Sequence, residues 1–89
     1  MENSVKTAVV TGISSGIGLA LAKKLLTESY TVIGTTRSGQ LPGFDHPRLH
    51  IVPLEATNEQ SRTHAAARIH SLTDGLDLLI NNAGTAPDV

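Results

Sequence analysis

The sequence predicts an α/β fold: a parallel sheet with one helix after the first strand and another after the third. Three observations predict it. Apolar residues switch along the chain between the two-residue period of strands and the helical period of about 3.6 residues. The resulting order is strand, helix, strand, loop, strand, helix, strand, and strands joined through helices run parallel with right-handed crossovers. A glycine-rich segment sits at the first strand-to-helix junction, where the chain must turn sharply.

The elements follow in order. Thr7-Ala8-Val9-Val10-Thr11 is a short strand-type run ending at Gly12. From about Ser15 to Glu28 the pattern is helical, with Ile17, Ala20, Leu21 and Leu25 recurring at helix spacing. Thr31 to Thr36 is a second strand, rich in branched residues. Arg37 to Arg48 holds Gly39, Pro42, Gly43 and Pro47 and predicts a loop, because prolines this close disfavour a helix. Leu49 to Leu54 is a third strand. Pro53 cannot donate to a central ladder, which places that strand at a sheet edge or ends it there. Thr57-x-x-Gln60 has capping-box spacing and opens a helix with Ala65, Ile69 and Leu72 on one face, stopped by Asp74-Gly75. Leu76 to Ile80 is the fourth strand, followed by Asn81-Asn82-Ala83-Gly84.

Composition narrows the function classes. The chain has 89 residues, 39% hydrophobic and 17% charged, with a formal net charge of −1. These values suit a single soluble globular unit and give no electrostatic reason to expect nucleic-acid binding. With no cysteine, disulfide scaffolds and thiolate metal sites are excluded. No stretch approaches the roughly 18 apolar residues of a membrane helix. Met1 to Lys6 is too short and polar for a secretory leader, so the expected compartment is the cytoplasm. His46, His50, His64 and His70 show no metal-ligand spacing and read as surface or loop residues.

The chemistry lies in the glycine turn. Gly12, Gly16 and Gly18 fall between the first strand and first helix. A turn there takes positive φ, and its N–H groups join the helix N-terminus in a cradle for a phosphate. The spacing Gly12-x-x-x-Gly16-x-Gly18 is neither the common G-x-G-x-x-G nor a nucleoside-triphosphatase loop, since no Lys follows until Lys23.

This T-G-x-x-x-G-I-G turn resembles that of the short-chain dehydrogenase/reductase family. Arg37 just past the second strand, Leu54-Glu55-Ala56-Thr57 after the third, Asp77 in the fourth strand and Asn81-Asn82-Ala83-Gly84 after it extend the resemblance from about Lys6 to Gly84. It implies a Rossmann-like three-layer fold with partial strand order 3-2-1-4. It also implies that the turn holds a dinucleotide pyrophosphate. Gly12 would make the turn, while Ser14 and Ser15 would donate hydroxyls or N–H groups. Gly16 would admit the cofactor close to the backbone, the Ile17 N–H would face a phosphate, and Gly18 would let the helix pack closely. Asn82, Ala83 and Gly84 would lie beside the adenosine ribose, with Asn81 bracing the central strands. Glu55 matches the family's Asp near the adenine amino group, one methylene longer.

An NAD site usually ends its second strand with an acidic residue for the ribose hydroxyls. Here that position is Thr36, and no Asp or Glu occurs between Tyr30 and Pro42. Arg37 supplies a positive fork suited to a 2′-phosphate, and Ser38 a hydroxyl, so NADP(H) is expected in preference to NAD(H). Two departures from the family stand out. Ser29 replaces the usual Gly at the end of the first helix, so that helix is expected to end differently, and Arg37 to Arg48 reads as loop where a helix is common.

Family catalysis rests on Tyr-x-x-x-Lys with an upstream Ser. The sole tyrosine, Tyr30, is followed four residues later by Gly34. Residues 1–89 are therefore expected to be the truncated N-terminal part of an NAD(P)-binding Rossmann domain, with no catalytic residue of its own. The alcohol or carbonyl substrate would be met only in a full-length form. A stand-alone binding module and an inactive remnant remain open alternatives. An apolar fourth strand with a free edge also predicts marginal stability or self-association of the isolated chain.

Overall fold

A computed structural model of the chain describes residues 6–14 and 16–82. The elements are β1 (Thr7–Val10), α1 (Gly16–Thr27), β2 (Thr31–Thr36), β3 (Leu49–Pro53), α2 (Glu59–Leu72) and β4 (Leu78–Ile80). The strands form one sheet in the order β3-β2-β1-β4. All three pairings are parallel, with Val9 opposite Ile33 and Leu79, and Thr36 opposite Pro53. Fold class and strand order match the sequence reading, and Pro53 lies on an edge strand, where its missing N–H interrupts no central ladder.

Strand alternation divides the core into two layers of contact. Ala8, Val10 and Val32 join Ala22, Leu25 and Leu26 of α1 on one face of the sheet. Val9, Ile33 and Val52 join Ala65 of α2, with Ile69 and Leu72 beside it, on the other. Both faces of the central strands are thus covered, as a parallel sheet requires. Each fully buried Val or Ile contributes about 1.5–3 kcal/mol.

The Arg37–Arg48 segment carries no helix or strand. It is tied to α1 by Arg48, whose Nη2 donates to the Leu26 carbonyl at 2.6 Å and whose Nε donates to the Tyr30 carbonyl at 3.2 Å. A guanidinium there satisfies carbonyls at the negative end of a helix.

Several sequence expectations are corrected. The apolar stripe of α1 is rotated: Gly18, Ala22, Leu25 and Leu26 are buried, whereas Ile17 is 71% exposed and Ala20 is exposed. Ser29 does adopt the left-handed conformation, at φ 71°. Tyr30 N–H bonds the Leu25 carbonyl and Ser29 N–H the Leu26 carbonyl, so α1 ends in a Schellman motif despite the missing glycine. The N-cap of α2 is Asn58 rather than Thr57: Asn58 Oδ1 accepts from Ser61 N–H at 2.8 Å. Thr57 instead donates to Glu55 Oε2. Helix α2 stops at Leu72, ahead of Asp74-Gly75, because Thr73 is extended while its N–H still bonds the Ile69 carbonyl. Finally, β4 begins at Leu78, so Asp77 precedes the strand instead of lying within it. The Asp77 N–H donates to the Thr7 carbonyl, and its Oδ2 accepts from Thr7 N–H at 2.8 Å, closing the end of β1.

Candidate dinucleotide-binding site

The C-terminal ends of β1, β2, β3 and β4 bring four chain segments to one rim of the sheet, where α/β folds place their ligands. The first is the glycine turn. Gly12 and Gly16 have φ of +72° and +64°, a region that costs L-residues about 1–2 kcal/mol. A Cβ on Gly16 would meet nothing within 4 Å, so its surroundings are open and its backbone can be approached directly. Gly18 is the opposite case: a Cβ there would lie 2.0 Å from the Gly12 carbonyl oxygen and 2.7 Å from Asn82 Nδ2. Close contact between α1 and the turn therefore requires glycine at 18.

Ser14, Gly16 and Ile17 are exposed around the N-terminus of α1, whose first turn carries no acidic residue. That arrangement leaves positive partial charge and outward backbone donors available to an anion, with no carboxylate competing locally. Ser15, Ala83 and Gly84, expected at the same site, lie outside the described residues.

The turn is braced from two sides, by Thr35 and Ile13, which the sequence reading did not single out, and by Asn81 and Asn82, which it did. On the β2 side, Thr35, 2% exposed, accepts from Gly12 N–H through Oγ1 at 3.0 Å and from Ile13 N–H through its carbonyl at 2.9 Å. Ile13 is fully buried and lies on Gly34, where a Cβ would sit 2.2 Å from its Cδ1. On the β4 side, Thr11 Oγ1 accepts from Asn82 N–H at 2.8 Å and donates to Asn81 Oδ1 at 3.0 Å. Asn82 Nδ2 donates to the Gly12 carbonyl at 3.1 Å. Asn81 and Asn82 thus tie the ends of β1 and β4 together beneath the turn. A signal for the first brace was present, since glycine inside a branched strand marks a close approach. Thr35 carried none beyond being polar within a buried strand.

The second region is the rim beyond β2 and β3. Thr36 is 3% exposed, and its Oγ1 accepts from Gly39 N–H at 2.9 Å. Arg37, next along, projects outward with its side chain 83% exposed, and its Nε lies 2.9 Å from Glu55 Oε1. Ser38 is exposed, and its hydroxyl accepts from Gln40 N–H at 3.3 Å. The parallel register of Thr36 with Pro53 brings Arg37 and Glu55, 18 positions apart in sequence, to neighbouring strand ends.

Comparisons with known proteins agree with this architecture. The chain matches the short chain dehydrogenase family over residues 6–89. It is 37% identical over 87 residues to farnesol dehydrogenase from Aedes aegypti, covering 89% of this chain and 36% of that protein. It is 39% identical over 84 residues to a probable NADP-dependent dehydrogenase from Haemophilus influenzae, covering 90% of this chain and 33% of that protein. Among solved structures, a short-chain dehydrogenase from Streptomyces avermitilis superposes with a TM-score of 0.79 at 33% identity, over 94% of this chain and 32% of the other. The chain thus spans about a third of the length of these relatives. Glycine turn, strand order, Asn81-Asn82 brace and sequence match converge, and the chain belongs to the short-chain dehydrogenase family of oxidoreductases.

Proposed function

We propose that this chain is the cofactor-binding portion of a cytoplasmic, NADP(H)-dependent oxidoreductase acting on an alcohol or carbonyl substrate. The observation that carries the cofactor preference is the end of β2. Thr36 is buried with its hydroxyl committed to Gly39 N–H, and the exposed residue after it is Arg37. The end of β2 itself carries no carboxylate to accept ribose hydroxyls, since no Asp or Glu occurs between Tyr30 and Pro42. The name of the Haemophilus influenzae relative, an NADP-dependent dehydrogenase, supports the same reading.

The residues fit a dinucleotide. Gly16 offers open backbone at positive φ, and the N-terminus of α1 with Ser14 and Ile17 would face the pyrophosphate. Asn82 would border the adenosine ribose while bracing Gly12, and Arg37 with Ser38 would take the 2′-phosphate. Glu55 would approach the adenine amino group, and Ser15, Ala83 and Gly84 complete the proposed set. When bound, the nicotinamide supplies or accepts the hydride. The residues of this chain bind and orient the adenosine half. The sole tyrosine, Tyr30, has Gly34 rather than Lys four positions on and packs against the α1 core, so the chain alone is expected to bind without turnover.

Titration of the chain with NADPH and NADH, read by nicotinamide fluorescence, tests the preference. Tighter binding of NADPH is expected, and equal affinities would overturn it. The same proposal includes self-association through β4. Among the described residues that strand pairs only with β1, and Leu79 is 60% exposed. Sedimentation velocity over a concentration series should show growing oligomers; a concentration-independent monomer would contradict this.

A further inference from the structure

We propose that Glu55 is a specificity-determining residue that restrains selectivity for the phosphorylated cofactor by sharing the Arg37 guanidinium with the 2′-phosphate. The inference rests on the NADP(H) reading above and adds to it a residue that works against that selectivity.

The carboxylate is held in place from both of its oxygens. Oε1 lies 2.9 Å from Arg37 Nε, and Oε2 accepts from Thr57 Oγ1 at 3.0 Å. Its backbone is fixed as well: Glu55 N–H donates to Ser61 Oγ at 2.7 Å, and its carbonyl accepts from Asn58 N–H at 2.9 Å. Glu55 is therefore seated on the β3–α2 turn, and its side chain is about a third exposed against 83% for Arg37. The resulting Arg37–Glu55 unit carries no net charge.

A guanidinium has several donors in a planar fork. With Nε directed to Glu55, the other nitrogens can still bond a phosphate, so the pair does not block the 2′-phosphate sterically. Its effect is electrostatic. A dianionic phosphate arriving at Arg37 meets a fixed carboxylate on the same cation, and like charges sharing one partner raise each other's cost. NADH carries no such phosphate and does not meet this repulsion. Glu55 thereby narrows the gap between the two cofactors without touching the glycine turn.

The test compares wild type, Glu55→Gln and Glu55→Asp in the full chain, with dissociation constants for NADPH and NADH and a thermal melt of each protein. Glu55→Gln removes the charge and keeps an oxygen for Thr57. It should raise the ratio of NADPH to NADH affinity by about three- to tenfold, the scale of one like-charge contact in a water-like dielectric; the adenine is common to both cofactors, so any contact of residue 55 with it cancels from the ratio. The gain should shrink in high salt, because the groups are exposed. Glu55→Asp keeps the charge and should gain less than Glu55→Gln. An unchanged or lower NADPH-to-NADH ratio in Glu55→Gln, in a wild type that prefers NADPH, would overturn this inference alone and show that the pair serves to hold Arg37. An equal gain in Glu55→Asp would also overturn it. A wild type that binds both cofactors equally, or neither, would overturn the NADP(H) reading and this inference with it.

Discussion

The glycine turn and the Arg37–Glu55 rim lie at the same end of the sheet but are held by different forces. The turn is fixed by close packing and by part-buried hydrogen bonds to its backbone groups: Thr35 beneath Gly12 and Ile13, Asn82 on the Gly12 carbonyl, and Gly18 with no room for a methyl group. The two charged side chains of the rim, Arg37 and Glu55, are held by one exposed ion pair and a hydroxyl contact. Close packing transmits any change in volume, whereas an exposed pair contributes little to stability. The turn proposed to hold the pyrophosphate is thus built into the fold. The rim proposed to distinguish one dinucleotide from another can vary at little cost to it.

The sharpest way to break this contrast is Gly18→Ala. Its Cβ would stand 2.0 Å from a backbone oxygen that is itself tied to Asn82, so neither neighbour can yield cheaply. A loss of at least about 3 kcal/mol is expected, at the upper end of overpacking costs. Urea denaturation monitored by circular dichroism reads it directly, and dinucleotide binding should disappear with it.

Gly34→Ala should cost less, about 1–3 kcal/mol. The obstacle there is the tip of the Ile13 side chain, with Cδ1 at 2.2 Å and Cγ1 at 2.9 Å. Shortening the partner in the double variant Gly34→Ala/Ile13→Val removes the closest atom and should recover part of the loss in the same denaturation assay. Failure to recover any would place the strain in the backbone of β2.

The contrast also explains what could be read from the sequence. Short β-type runs around Val9 and Ile33, glycine spacing and Pro53 predicted the sheet and its edge strand, because each reflects a constraint on a single residue or a short segment. The N-cap of α2 was not decidable locally: Thr57-x-x-Gln60 and Asn58-x-x-Ser61 have the same spacing, and Glu55 draws the Thr57 hydroxyl away. The rotation of α1 escaped for a related reason. Ile17 keeps helical period with Leu21 and Leu25, but it lies in the first turn beside the glycines, at the rim of the sheet, and stays 71% exposed. Ser29 showed that hydrogen bonds from Tyr30 and Ser29 N–H to α1 can outweigh a local backbone cost of about 1 kcal/mol. The Arg37–Glu55 pair depends on the β2–β3 register, which no single segment encodes.

The smallest stability effect should accompany Arg37→Ala, and for that reason it separates the two regions most cleanly. The side chain is 83% exposed, and exposed pairs of this kind contribute about 0–1 kcal/mol, so the melting temperature should move by at most about 4–8 °C. Binding should respond quite differently. Charge-assisted hydrogen bonds to a phosphate contribute about 1.5–3 kcal/mol, which corresponds to NADPH affinity about ten- to a hundredfold weaker, while NADH affinity stays within about twofold. The same pair of titrations used for the wild type measures both. If NADPH and NADH weaken together, Arg37 supports the adenosine site as a whole, and the division between a rigid turn and a selective rim fails. If the melt collapses instead, the rim is part of the folded framework after all, and the exposed pair with Glu55 is worth far more than its surroundings allow.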